Sequence, residues 1–140
     1  MPVTYTIDVD KRRVHTHCVG RVTLREVIDH FRTLEQDPLC PTNLDVFLDL
    51  SGVDLNSLPQ TPQISRVVLE IEHIQDRVRF GACAILAPSD AVFGVMRMFE
   101  VMSDRHFRVI HSFRDRIEAE LWLAAQQASN DSVRRDQQSQ

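Results

Sequence analysis

The sequence predicts an α/β fold: a single domain on a mixed five-stranded sheet, an N-terminal antiparallel hairpin followed by parallel strands, with about four helices. Three observations predict it. The first residues alternate strictly between apolar and polar side chains. Two short apolar runs recur at 44–50 and 81–87, and the stretches between them carry apolar residues at helical spacing. The 140-residue chain is 43% hydrophobic and 26% charged, the length and balance of one globular domain. That domain is placed at residues 1–128.

Val3, Tyr5, Ile7 and Val9 alternate with Thr4, Thr6, Asp8 and Asp10, the period of a half-buried strand. The turn at Asp10-Lys11-Arg12 returns the chain as a second strand over Arg13 to Val19, and Gly20 ends it. Thr23-Leu24-Arg25-Glu26 reads as a capping box, and Leu24, Val27, Ile28, Phe31 and Leu34 share the face that follows. Leu44 to Leu50 is a central strand interrupted only by Asp45 and Asp49. Ser51 to Gln60 is read as a loop. Thr61 then caps a helix with Pro62 at its first position and a stripe of Ile64, Val67, Val68, Ile71 and Ile74, while Arg66, Glu70 and His73 face solvent.

Gly81 to Ala87 is a further buried strand, with Cys83 in the core, and the Ser89 helix runs to about Asp104. On that helix Ala91, Val92, Val95, Met98, Phe99 and Met102 are expected inward, with Asp90, Gly94, Arg97, Glu100 and Asp104 outward. Arg108 to Ser112 is a fifth strand. Asp115 caps a last helix whose core stripe is read as Ile117, Leu121, Ala124 and Ala128. From 129 to 140 the composition is polar without periodicity, which predicts a disordered tail.

The net charge is −4 with both signs interspersed, which argues against a nucleic-acid partner. No apolar run approaches the ~20 residues that span a bilayer, so membrane insertion is not expected. Cys18, Cys40 and Cys83 lack C-x-x-C spacing and read as reduced thiols; with no secretory signal apparent, the expected location is cytoplasmic. His15 and His17 share one strand face without a third ligand at metal spacing, so they read as a solvent-facing pair, and no metal or other cofactor is expected. There is no nucleophile elbow or glycine-rich phosphate loop, and Asp49 and Asp54 read as solvated carboxylates.

The chain resembles the STAS-type fold of bacterial anti-sigma-factor antagonists, and more closely a group of bacterial proteins described as SpoIIAA-like. The residues that carry this are Ala87-Pro88-Ser89-Asp90, Phe93-Gly94, Arg97-Met98-Phe99-Glu100, Phe113-Arg114-Asp115, Glu118-Ala119 and Trp122-Leu123. The resemblance extends loosely from Val3 to Ala125. It implies a regulatory interaction module; the strand end Leu48-Asp49-Leu50-Ser51-Gly52-Val53-Asp54-Leu55 is similar to that of the antagonists but continues Asn56-Ser57-Leu58-Pro59, without their phosphorylated Asp-Ser-Ser-Gly. The phosphoswitch is therefore not carried over.

Two candidate sites follow from position. Ligands in open α/β sheets gather beyond the carboxyl ends of parallel strands, where helix N-termini offer free N–H groups. Ser51, Thr61, Ser89, Asp90 and Arg114 are the ligand-binding candidates there, against the plainer reading that Thr61 and Ser89 only cap. Phe93, Met96, Arg97 and Glu100 form a candidate interface on the Ser89 helix, against the reading that the last helix covers Phe93. The leading expectation is a non-enzymatic interaction module, as a homodimer or with a protein partner. The alternative is a small-molecule binder, taking an anionic ligand at the helix N-termini or a lipid-like one beneath the Ser51–Gln60 loop. An enzyme ranks third.

Overall fold

The alternation at the N-terminus becomes a hairpin. β1 (Val3–Asp8) pairs antiparallel with β2 (Arg13–Gly20), Tyr5 opposite Thr16, across a turn where Arg12 takes φ 51°. α1 (Leu24–Gln36) opens on the expected capping box: the Glu26 N–H donates to Thr23 Oγ1 and the Thr23 N–H to Glu26 Oε1. There follow β3 (Asn43–Val53), α2 (Thr61–Ile74), β4 (Arg79–Leu86), α3 (Asp90–Ser103), β5 (Phe107–Phe113) and α4 (Arg116–Gln138). The computed structural model describes residues 2–54, 61–74 and 78–138, with the side chains of Thr61 and 131–138 left out.

The fold is α/β with a mixed five-stranded sheet in the order β1-β2-β3-β4-β5, antiparallel between β1 and β2 and parallel thereafter. Each parallel strand is added on the same side of the one before it. Right-handed crossovers then put α1, α2 and α3 on one face of the sheet, and α4 packs on the other. The order never reverses, so the sheet has no switch point, the feature that opens a crevice between diverging loops in doubly wound folds.

Two separate cores result. Val14, Leu34, Ile64, Ile71, Ile85 and Val92 belong to the one under α1–α3. On the other face Phe47, Ala82, Ala84 and Leu86 meet Ala119 and Leu123 of α4. Near the start of β4 the register shifts, and the Asp45 carboxylate accepts from the Ala82 N–H at 2.7 Å. A side chain at Gly81 would collide with that carboxylate, which is why glycine stands there.

Several elements depart from the sequence expectation. Ser51 is in β3, not in a loop, because β2 continues past a bulge to pair Val19 with Gly52 and Gly20 with Val53. The rest of the expected loop, 55–60 with Ser57, lies outside the described residues. α4 is rotated from its expected facing: Ala119 and Leu123 are buried, while Ile117 and Leu121 are 67% and 66% exposed. Its anchors explain this. Trp122 packs on Phe113 at 5.3 Å, and Gln127 accepts from Arg13 at 2.5 Å while donating to the Lys11 carbonyl at 2.7 Å. Small side chains at Ala82 and Ala84 fit Ala119 and Leu123 beneath the helix. α4 also runs to Gln138, past the point near Ala128 where the polar tail was expected to begin. Residues 129–138 contain neither Gly nor Pro, and an established helix elongates easily.

Candidate functional site

The sheet and the α1–α3 layer enclose a cavity of about 400 Å³. Its floor is Thr16 and Cys18 of β2 with Val46, Leu48 and Leu50 of β3. The three helices supply the roof, through side chains such as Val27, Phe31, Val67, Val92 and Met96. Val46 and Leu48 lie on a central strand beneath helices, yet both stay only half-buried. A close-packed three-layer core would bury them fully. Here the helices stand off from the floor.

Aromatic rings close one end. Phe31, Phe80, Phe107 and Phe99 contact one another in series at 6.3, 5.3 and 6.5 Å between centroids, near the amino ends of β4 and β5. These rings form the blind wall. At the other end Arg21, Thr23 and Gln63 are exposed and border the mouth, where α1 and α2 begin. The volume falls within the ~300–1,000 Å³ of small-molecule sites, which are likewise mostly apolar with few polar groups.

The polar groups inside are uncharged. Burial lowers His30 from its ordinary value to about 4, so the imidazole is neutral at pH 7. Burial raises Cys18 to about 12 and raises Cys83 as well, so both remain thiols. His30 Nε2 lies 3.3 Å from Thr16 Oγ1, its ring meets Tyr5 edge-on at 5.3 Å, and Tyr5 donates to Asp37 at 2.7 Å.

The expected site residues fall in several places. The first turns of α2 and α3 do line one cavity, through Gln63 and Ile64 on one and Val92 on the other. Of their polar residues, the described ones have partners within the protein. Ser89 Oγ accepts from the Val92 N–H at 3.2 Å, an N-cap. Asp90 pairs with Arg114, whose guanidinium also lies over Phe93, 5.1 Å from the ring centroid. Ser51 points to the α4 face of the sheet, hydrogen-bonded to Asp49. The backbone of Thr61 begins α2, and its side chain lies outside the described ones.

The expected interface on α3 is also redistributed. Phe93 and Met96 are half-buried against the core, and Met96 lines the cavity. Glu100 is not on the outer stripe: it is 8% exposed and accepts from Ser112 at 2.8 Å, with Arg97 at 3.3 Å and His111 at 3.5 Å. Arg97 is exposed as expected, but Met98 and Val101 turn outward with it. One buried carboxylate fixes this rotation, because apolar periodicity says nothing about a hydrogen bond from the neighbouring strand.

Asp49, like Glu100, is assigned to the surface by its residue type. It is 3% exposed, not solvated. Its Oδ1 accepts from the Ser51 hydroxyl and N–H at 2.6 and 2.9 Å, and its Oδ2 accepts from Arg116 at 2.6 Å and lies 3.3 Å from His17 Nδ1. Burial alone would raise this carboxyl, but the bonds from Ser51 and Arg116 outweigh it and hold the group below its ordinary value. The group ties β2, β3 and α4 together. Of the expected solvent-facing pair, His17 is exposed, while His15 is half-buried, stacked on Phe47 at 5.2 Å, and burial lowers its pKa. Glu70 meets Arg32 of α1 at 2.9 Å. A polar Asp inside an apolar strand was the available signal for the Asp49 cluster.

A second concavity, about 440 Å³ and polar, lies by the β1–β2 turn, where Lys11, Arg12, Arg79 and Arg108 face Asp10 and Asp45. Among the described residues no three His, Cys, Asp or Glu side chains cluster to hold a metal, and no helix is long and apolar enough to cross a membrane. No protein-family model, curated protein or solved structure matches the chain.

Proposed function

We propose that this protein binds an apolar small molecule in the cavity between its sheet and α1–α3. The observation that carries the reading is the half-burial of Val46 and Leu48 at the centre of the sheet, beneath three helices. Side chains facing such a space lack the packing partners that a closed core gives them, and an apolar occupant entering from the mouth supplies those contacts. The mouth at Arg21, Thr23 and Gln63 gives the route in. Native mass spectrometry of freshly purified protein is expected to show a small organic molecule retained and then released on unfolding. Bare polypeptide, together with an unchanged melting temperature in 1-decanol, would refute the reading.

A second reading, the interaction module implied by the STAS-type resemblance, draws on α4. Ile117, Leu121, Ala124 and Ala128 follow the spacing of a coiled-coil seam on the exposed side of that helix. Sedimentation of wild type and Leu121→Glu tests it: a dimer that the substitution dissociates is the expected result, and a monomer in both removes homodimerisation.

A further inference from the structure

Charge is placed unevenly around the cavity. Among the described residues that line it there is no Asp, Glu or Lys, His30 is neutral, and Arg21 is the one ion. Arg21 stands at the mouth, between the end of β2 and the cap of α1, and is exposed. Two carboxylates stand near it. Glu26 is committed to the capping box, where it accepts from the Thr23 N–H and hydroxyl, and the Asp54 N–H donates to the Gly20 carbonyl. Neither lines the cavity, and among the described residues no carboxylate pairs with Arg21. We infer that the cavity takes a single-chain fatty carboxylate tail first, with its head group held at the mouth by Arg21.

Each part of that ligand answers a part of the site. Phe31, Phe80, Phe99 and Phe107 wall the blind end, where an apolar tail is at home and a charge has no partner. Thr23 and Leu34 both line the space, so it extends about 16 Å along α1 at the helical rise, the reach of one extended chain of medium length. At the mouth, a guanidinium on a flexible stem presents a planar fork that matches a carboxylate and stays charged at pH 7. One cation balances one monoanion. The head group remains in contact with water there, so the ion pair sets orientation and choice of head group, while the buried tail supplies most of the affinity.

This inference rests on the cavity reading, and the test separates the two. Calorimetry at pH 7 and low salt measures decanoate, 1-decanol and decanedioate on wild type, Arg21→Gln and Arg21→Lys. Arg21 is exposed, so its substitution spares the core, and 1-decanol binding reports that the cavity is intact. Arg21→Gln is expected to weaken decanoate about three- to five-fold relative to 1-decanol, the range of an exposed ion pair, and Arg21→Lys to restore most of that. Added salt is expected to weaken decanoate binding in wild type but not in Arg21→Gln. Decanedioate, which carries a second carboxylate to the aromatic wall, is expected to bind at least about ten-fold more weakly than decanoate. If 1-decanol and decanoate bind but Arg21→Gln leaves their ratio unchanged, the inference fails and the cavity reading stands. Equal binding of decanedioate and decanoate also overturns it, since the site would then not distinguish head from tail. Should none of the three bind, both fall.

Discussion

The two faces of the sheet are packed in opposite ways. On the α4 face, Ala82, Ala84 and Leu86 let one helix approach until Ala119 and Leu123 are wholly buried. On the α1–α3 face, three helices cover larger side chains, yet leave about 400 Å³ between the layers. Small residues make a tight joint. Large rings gathered at one end make a standoff, because Phe31, Phe80, Phe99 and Phe107 fill the amino end while aliphatic side chains at the other end do not reach across. The α4 face is therefore the more closely packed, and the α1–α3 face, which carries the larger core, is the one that leaves space.

The contrast can be broken most directly by truncating the tight joint. Leu123→Ala is expected to cost about 2–5 kcal/mol in urea unfolding, since the neighbours of a fully buried leucine collapse only partly. A loss within experimental error would mean that α4 is not the better-packed side.

A pH experiment sharpens the other face. His30 falls from an ordinary value of 6.5 to about 4 in the folded protein, so the unfolded chain takes up that proton first. The neutral ring's stabilisation is complete above pH 6.5, declines as pH falls through the interval and levels off below about 4. The gap bounds the effect at on the order of 3 kcal/mol. In His30→Phe, stability measured by urea titration at successive pH values is expected to lose this decline between pH 6.5 and 4. An unaltered slope would place His30 in a wetter setting.

The smallest expected effects have opposite signs on the two faces. Ala84→Leu forces extra volume under α4 and is expected to destabilise by about 1–3 kcal/mol. Val46→Phe adds volume into the cavity and is expected to stabilise by about 0.5–2 kcal/mol while abolishing 1-decanol binding. Thermal unfolding of both variants decides whether the faces differ in the proposed sense.

Much of the fold was legible because it depends on local chemistry. Alternation from Val3 to Asp8, the Thr23–Glu26 capping box and the Ser89 cap each act within a few residues, and each formed as read. The α4 stripe at Ile117 and Leu121 was misread because periodicity identifies an apolar side without saying which side meets the sheet. Alanines at 82 and 84, Trp122 on Phe113 and Gln127 on Arg13 made that choice. Asp49 and Glu100 were assigned to solvent by residue type, and partners distant in sequence, Arg116 and Ser112, allowed them inside. The anionic rim was argued from strand ends and helix N-termini; the first turns of α2 and α3 do line one cavity, while Ser51 lies in β3 on the other face of the sheet.

The sequence by itself determined the order of the elements and the caps at Thr23 and Ser89, because hydrogen bonds and side-chain periods within a segment are local properties. Tertiary structure alone decided helix rotation, the burial of the carboxylates and the existence of the cavity. Volume between layers depends on how side chains from eight elements meet, and no single segment records that sum.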